Sequence, residues 1–314
     1  MAIDLAAVRT RIPILAEKAY FNSCSYGPLT LDVKAAMEAY LDIRMREGAR
    51  WDIYCSKLED VRSLLGEFLC APADDISVST SLSESLNSLM TALQFDGERR
   101  EIVATDFDFP TTSQILLAQQ ARGAEVRRAR ADAAGTAIPL TEFERLISDR
   151  TLLVALPLVC YRNGVWLDIE PIVKLARERG ALVLLDAYQG LGTRPFDAVT
   201  SGVDFLVGGC AKYLLGASGI AFMYVRNSRD VELQPTATGW FAQADPHAMD
   251  IYHHRPHASA RRFESGTPNA PGLFAAEAGL QLLLEVGLDV VAAQITAVTA
   301  EIKRAVHANG WHLV

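Results

Sequence analysis

The sequence has few cysteines, no long apolar run and no excess of basic residues. Its five cysteines are widely scattered, with neither a Cys-x-x-Cys pair nor a spacing typical of metal sites, so we expect free thiols in a reducing compartment. No apolar run is long enough to cross a bilayer, and Asp4, Arg9 and Arg11 interrupt the apolar patches of the amino terminus. These absences predict a cytoplasmic protein without a membrane partner.

The charge balance and the few histidines argue against two further kinds of ligand. The chain has 30 Lys and Arg against 38 Asp and Glu, which gives a formal net charge of −8. Nucleic-acid binding normally requires a basic patch for the phosphates, and none is visible, so no nucleic-acid partner is expected. His253, His254 and His257 share a proline-containing loop, but their spacing matches no recognised ligand geometry, and we predict no metal site.

The pattern of apolar residues predicts an α/β fold with a mainly parallel, seven-stranded-type sheet flanked by helices. Two helical stretches, 29–48 and 56–70, precede the sheet, and 274–314 returns to helix before one last strand at 310–314. Between the later strands, Pro171 and Gly180 give the start and stop signals of a helix. The predicted strands are 76–79, 101–105, 152–158, 181–186, 204–209 and 220–225.

Two residues at the ends of neighbouring predicted strands suggest a cofactor. Asp186 ends the strand 181–186, and Lys212 follows the strand 204–209, so both are expected at the sheet edge where α/β proteins bind ligands. In a pyridoxal 5′-phosphate (PLP) site, a lysine forms a Schiff base with the cofactor aldehyde and an aspartate keeps the pyridine nitrogen protonated. Gln189 could then hydrogen-bond the phenolic oxygen of the ring. Taken alone, Asp186 could equally cap a turn, and Lys212 could lie on the surface.

Two other motifs offer anion sites. In STSLSESLNSLM a strand ends and Ser83 begins a helix, whose free N–H groups and dipole favour a phosphate. An ordinary serine cap, with Glu84 in the first turn, explains the same residues. In RFESGTPN a Gly-Thr-Pro turn presents the Thr267 hydroxyl, although such a turn is common.

Taken together, the motifs resemble the class V aminotransferase-fold PLP enzymes, a group that includes cysteine desulfurases, selenocysteine lyases, kynureninases and isopenicillin N epimerases. The resemblance begins near residue 20 and extends to the carboxyl end. The motifs occur in the order of that family: FNSCSYGPL, TSLSESLN, DFDFPT, LDAYQG, GGCAKYLLGASG and RFESGTPN.

The resemblance implies a role for each matching residue. Lys212 would be the Schiff-base lysine, while Asp186 would pair with the pyridine nitrogen and Gln189 would contact the phenolic oxygen. The Leu82 backbone and Ser83 would hold the phosphate. Thr267 would reach the phosphate of the neighbouring subunit, which implies a homodimer.

The sequence departs from the family pattern around the ring. Desulfurases place a histidine over the cofactor ring, yet this chain has no histidine before His247. Its DFDFPTT motif resembles the kynureninase arrangement instead, in which Phe109 stacks on the ring; core packing is the alternative for this side chain. Cys210 and Ala211 stand where many relatives have Ser/Thr-His, so one phosphate donor is missing.

The family resemblance also implies a division into domains. A segment over 1–20 would pack with a small domain, 21–275 would form a PLP-transferase-like large domain, and 276–314 would form a truncated α+β small domain. A shortened small domain would lack the arginine that relatives use for the substrate carboxylate. Candidates for substrate binding are then Asn22 and the arginines of YHHRPHASARR, which are Arg255, Arg261 and Arg262, although a solvated basic loop is the ordinary alternative.

The sequence therefore favours a PLP enzyme that acts at Cα or Cβ of an amino acid by lyase or kynureninase-like cleavage. A class V aminotransferase or an epimerase is the first alternative. A PLP-binding homologue with little or no turnover, acting as a cofactor-binding or dimerisation partner, is the second.

Overall fold

The computed structural model describes residues 4–230, 232–311 and 313, and a sheet of seven strands within those residues forms its centre. The strands are β1 (Ile76–Ser79), β2 (Glu101–Thr105), β3 (Glu125–Ala129), β4 (Thr151–Pro157), β5 (Leu182–Asp186), β6 (Phe205–Gly209) and β7 (Ala221–Val225). Their spatial order is β1-β7-β6-β5-β4-β2-β3. β7 runs antiparallel to β1 and β6, and the other four pairs are parallel. The predicted mainly parallel sheet is confirmed.

Six of the strands were predicted from their apolar runs, and β3 was missed. All residues of β2, β6 and β7 are buried, as expected for strands covered on both faces. β3 lies at the edge of the sheet and reads EVRRA, with Arg127 exposed. Charged residues are common on edge strands because they prevent pairing with another chain, and they also hide such strands from a search for apolar runs.

Helices cover the sheet. Beside it, α3, α4 and α10 pack together through Tyr40, Tyr54 and Phe274. The helices are α1 (Leu5–Thr10), α2 (Ile14–Glu17), α3 (Leu31–Glu47), α4 (Trp51–Phe68), α5 (Leu82–Ala92), α6 (Pro110–Ala118), α7 (Leu140–Leu146), α8 (Glu170–Glu178), α9 (Ala198–Ser201), α10 (Ala270–Val286) and α11 (Leu288–Ala308).

Both chain ends add to this layer of helices. Arg11 forms ion pairs with Asp32 of α3 and with Glu285 of α10, at 2.7 Å each, so the amino-terminal segment touches residues on both sides of the predicted domain boundary. The strand predicted at 310–314 includes His312 and Val314, which lie outside the described residues.

Across the described ranges, no single helix is long and apolar enough to cross a membrane. Only together would α10 and α11, which are bent by 77° where they meet, reach the necessary length and apolar composition.

The start of α5 corrects one prediction. The helix begins at Leu82, and its cap is Ser81, whose hydroxyl accepts the Glu84 N–H at 3.1 Å. Ser83 therefore lies inside the first turn and does not cap the helix. The Glu84 carboxylate in turn accepts the N–H of Thr80, the residue before the cap, at 2.8 Å, so the contacts differ by one residue from a capping box.

Candidate active site

A cavity of about 330 Å³ lies at the carboxyl ends of the parallel strands. Loops that follow β1, β2, β4, β5 and β6 form its wall, because parallel strands deliver their following turns to one edge of the sheet. Six of the predicted site residues line this cavity: Leu82, Ser83, Phe109, Asp186, Gln189 and Lys212. The structure thus brings together residues that the sequence separates by up to 130 positions.

Asp186 is the buried acid of the cavity. Its Oδ1 accepts the backbone N–H of Tyr188 at 3.1 Å, and its Oδ2 accepts the hydroxyl of Thr112 at 3.0 Å. Burial raises the pKa of Asp186, whereas these two hydrogen bonds and the charge of Lys212 act to lower it. Both hydrogen-bond donors are neutral. A cationic partner would therefore stabilise the Asp186 carboxylate further.

Lys212 is the amine of the cavity, and aromatic rings surround it. Its Nζ lies 4.4 Å from the ring centre of Tyr188 and 5.5 Å from that of Phe109. Burial lowers the pKa of Lys212, and the charge of Asp186 acts in the opposite direction. Among the described side chains, no acid lies within 4.0 Å of the Lys212 amine, so the amine is not committed to an ion pair.

Phe109 presents its ring to the cavity. The side chain is 41% exposed, and Tyr161 packs edge-on against it with ring centres 5.0 Å apart. Its neighbour Phe107 is only 1% exposed and belongs to the core. The core-packing alternative therefore describes Phe107 better than Phe109, whose free surface can meet a flat ring.

The start of α5 supplies open hydrogen-bond donors. The Glu84 N–H donates to Ser81 and the Thr80 N–H donates to Glu84, whereas the backbone N–H groups of Leu82 and Ser83 have no partner within the described residues. They line the cavity together with the Ser83 hydroxyl. Such a helix start attracts an anion because its N–H groups are unpaired and the helix dipole is positive there.

The segment 22–27 holds the turn that carries Lys212. The Gly27 N–H donates to the carbonyl of Ala211 at 2.8 Å, and a Cβ at Gly27 would lie only 2.1 Å from the Lys212 carbonyl oxygen. Gln189 Nε2 donates to the Cys24 carbonyl at 3.0 Å, which leaves its second N–H for another acceptor. Asn22 belongs to this segment, but it is exposed and does not line the cavity.

Three other predicted residues also lie away from the cavity. Thr267 lines a neighbouring cavity of about 110 Å³ together with Thr80 and Glu84. Arg255 lines an open groove formed by residues 238–255. Arg261 forms an ion pair with Glu59 at 2.5 Å. The proposed roles of these residues at a ligand remain predictions.

Arg262 differs from the solvated loop that was the alternative for these arginines. Its side chain is buried, and it donates to the carbonyl oxygens of Ser228, Leu233, Ala258 and Ser259 at 2.8–3.1 Å. It holds the loop to the body of the protein.

The chemistry of the cavity fits PLP. Lys212 offers an amine to the cofactor aldehyde, Asp186 offers a buried carboxylate to a pyridinium nitrogen, and Phe109 offers a ring face. The start of α5 offers N–H groups to a phosphate. Among the described residues, no three His, Cys, Asp or Glu side chains are grouped in a way that could hold a metal ion.

Comparison with known proteins identifies the family. The family model described as aminotransferase class-V matches residues 44–310. The chain belongs to the class V aminotransferase family. Members of this family are PLP-dependent enzymes, and the family indicates PLP as the cofactor of this chain.

Three similar proteins illustrate how wide this family is. The uncharacterized aminotransferase YcbU of Bacillus subtilis is 32% identical over 93% of this chain and 76% of its own length. The kynureninase of Deinococcus radiodurans is 32% identical over 73% of this chain and 54% of its own length. The apo structure of a cysteine desulfurase from Thermococcus onnurineus superposes with a TM-score of 0.85 over 98% of this chain and 78% of that one, at 24% identity, which shows the shared fold.

The structure of this class V family member adds residues that the sequence did not single out. Thr112 reaches Asp186 from α6, while Tyr161 and Tyr188 complete the aromatic wall. Tyr188 stands inside LDAYQG, so its position between Asp186 and Gln189 was a usable signal. Thr112 stands at the end of DFDFPTT, but its contact with Asp186 could not be read from the motif because the two residues lie 74 positions apart in the chain.

Proposed function

We propose that this protein is a PLP-dependent enzyme acting at Cα or Cβ of an amino acid, with a lyase or kynureninase-like cleavage as its reaction. The observation that carries the proposal is the single cavity in which an unpaired Lys212 amine, a buried Asp186 carboxylate and the open N–H groups of α5 meet. The relatives named kynureninase and cysteine desulfurase support cleavage as the outcome.

Each residue of the cavity receives a binding role in this proposal. Asp186 pairs with the protonated ring nitrogen, and the Leu82 N–H and Ser83 bind the phosphate. Phe109 stacks on one face of the ring, and the free N–H of Gln189 donates to the phenolic oxygen. When bound, PLP supplies a ring that accepts the electrons released as a bond at the substrate Cα breaks.

Lys212 has two tasks in the proposed reaction. Because burial lowers its pKa, a larger share of the amine is neutral than on an exposed lysine, and the neutral amine is the form that reacts with an aldehyde. In the proposed reaction the same amine takes a proton from the substrate Cα and returns it later. The aromatic rings of Tyr188 and Phe109 lie beside it and limit its contact with water.

The proposal includes a homodimer in which Thr267 binds the cofactor phosphate of the partner subunit. Its position in a neighbouring cavity, outside the one that holds Lys212, supports a role at another subunit.

A class V aminotransferase is the second candidate. The Bacillus subtilis relative named as an uncharacterized aminotransferase matches more of this chain than the kynureninase does, which favours this candidate. The two reactions share the same first proton transfer from Cα and differ in the bond that breaks afterwards.

The cofactor part of the proposal is tested by trapping the cofactor on the protein. Wild type, Lys212→Ala and the control Lys174→Ala, an exposed lysine of α8, are each mixed with PLP, reduced with borohydride and mapped by peptide mass spectrometry. We expect the cofactor on the peptide with Lys212 in wild type and control, and a visible absorption band that Lys212→Ala lacks. An unchanged band in Lys212→Ala would contradict the proposal.

The reaction is tested on the cofactor-loaded protein with a panel of amino acids. Release of the substrate side chain together with alanine or, from an amino acid other than alanine, together with pyruvate supports cleavage. With an added keto acid as amino-group acceptor, a keto acid that keeps the carbon skeleton of the substrate, formed together with the amino acid of the acceptor, supports the aminotransferase. If the band responds to no amino acid and no product forms, the catalytically weak PLP-binding alternative replaces both.

A further inference from the structure

We propose that Thr112 is a positioning residue that keeps Asp186 ionised and correctly turned for the ring nitrogen of PLP. This inference rests on the proposed function and gives a role to Thr112, the last residue of DFDFPTT, for which the sequence predicted none. Thr112 is 3% exposed and lies in the first turn of α6, behind the cavity. Its hydroxyl donates to Asp186 Oδ2 at 3.0 Å.

The direction of this hydrogen bond matters. An ionised carboxylate has only acceptor sites, so it can accept both the Thr112 hydroxyl and the Tyr188 N–H, whereas a protonated one would carry a donor of its own. The two contacts hold one oxygen each and so fix the plane of the carboxylate. Thr112 is the only side-chain donor to Asp186 among the described residues.

Other charged or titratable groups also act on Asp186. Lys212 lowers its pKa from within the cavity. Asp108 lies shortly after β2, and its carboxyl is buried. The pKa of Asp108 is raised to about 6, chiefly by burial, and the negative charge of Asp186 adds to the increase. Arg128 lies 3.5 Å from Asp108 and partly balances this second acid, while Tyr188 is the remaining titratable neighbour. Since these groups remain in a Thr112 variant, the change can be assigned to the lost hydroxyl.

The adjacent threonine provides a matched control. Thr111 lies next to Thr112 in the same turn and lines the cavity, but its side chain makes no hydrogen bond to any described residue, Asp186 included. Thr111→Val therefore removes a hydroxyl from the same turn without touching the carboxylate. Thr112→Val keeps the shape of the buried side chain and removes only its donor, and Thr112→Ser restores a donor.

The sign of the effect follows from the role of the hydrogen bond. The Thr112 hydroxyl lowers the pKa of Asp186, so its loss raises that pKa. The ionised form that pairs with a pyridinium nitrogen is lost as the pH falls, and in Thr112→Val this loss begins at a higher pH. For a hydrogen bond to a charged group we expect PLP affinity to fall about tenfold. The acidic limb of binding should then move up by about one pH unit.

The experiment measures equilibrium binding by wild type, Thr112→Val, Thr112→Ser and Thr111→Val as the pH is lowered from about 8 to about 5. Two probes are compared: PLP, and 1-deaza-PLP, which has carbon in place of the ring nitrogen. We expect Thr112→Val to weaken PLP alone and Thr112→Ser to restore most of the loss. Thr111→Val, whose hydroxyl lines the cavity without touching Asp186, should affect PLP and 1-deaza-PLP alike and leave the pH dependence unchanged.

Two results would overturn the inference. One is wild-type PLP affinity and pH dependence in Thr112→Val. The other is an equal loss for PLP and 1-deaza-PLP, which would give Thr112 a structural role only. A wild-type protein that binds neither probe would overturn the proposed function itself, and this inference with it.

Discussion

The cavity and the segment 239–267 use charged side chains in opposite ways. In the cavity, Asp186 accepts only neutral donors and the Lys212 amine has no acid within 4.0 Å among the described side chains. In the segment, Arg261 pairs with Glu59 at 2.5 Å and Glu264 pairs with Arg62 at 2.6 Å. Arg261 and Glu264 thus satisfy their charges within the chain, whereas Asp186 and Lys212 have no ion pair among the described residues.

This difference shows what the arginines of a sequence motif leave open about a substrate site. The guanidinium groups of 252–262 looked suitable for a carboxylate, and Arg261 does bind one, that of Glu59. The sequence of a basic loop does not reveal whether its arginines pair with the acid of a ligand or with an acid on a helix far away in the chain. The comparison predicts that cavity variants change cofactor binding and that segment variants change stability.

The largest expected effect tests the segment. Arg62→Met leaves the buried Glu264 carboxylate without its cation, and loss of one partner of a buried pair costs about 3–5 kcal/mol. Urea unfolding should show this loss, while the folded fraction still binds PLP as wild type does. The double variant Arg62→Met/Glu264→Gln removes the stranded charge, keeps an acceptor for the Val78 N–H, and should recover much of the stability. If Arg62→Met unfolds at the same urea concentration as wild type, the pair of Arg62 with Glu264 does not stabilise the segment, and the contrast with the cavity is wrong.

Much of the fold could be predicted because local sequence patterns indicate where strands and helices begin and end. Apolar runs located six of the seven strands found in the described residues, and Pro171 and Gly180 marked a helix that the structure places at Glu170–Glu178. β3 escaped because its charged side chains suit an edge strand and break the apolar run. The signal fails where the environment of a strand differs from the core.

The site could be predicted as far as its residues belong to local motifs. Asp186 ends β5, and Gln189 and Lys212 lie in the turns after β5 and β6, so all three meet at the same edge of the sheet. The Thr112–Asp186 contact joins a helix start to a strand end, and only the folded arrangement creates it. The cap of α5 was placed two residues too late because three serines, Ser81, Ser83 and Ser85, offer the same hydroxyl at alternate positions.

A smaller effect tests the proposed phosphate site at the start of α5. Ser83→Ala removes a hydroxyl beside the open N–H groups of α5, and loss of a hydrogen bond to a charged group should weaken PLP binding about tenfold. Pyridoxal, which has no phosphate, should bind both proteins equally. Ser88→Ala, later on the same helix, is the control, because its hydroxyl donates to the Ala237 carbonyl at 3.2 Å. Equal losses for PLP and pyridoxal would place the phosphate elsewhere.

The smallest expected effect concerns Arg261, which belongs to the segment 239–267 and was also a candidate for substrate binding. The pair of Arg261 with Glu59 is partly exposed, so Arg261→Ala should cost at most about 1 kcal/mol of stability. Arg261 also carries a buried Nε without a partner among the described residues, and removing that unmet donor offsets part of the loss. If Arg261 serves only the ion pair with Glu59, Arg261→Ala will match wild type in two measurements. These are the cofactor absorption band and the KM for any amino acid that proves to be a substrate. If KM rises tenfold or more at unchanged stability, Arg261 instead binds the substrate carboxylate. A change in KM without a change in stability reports a contact that is made only with the substrate.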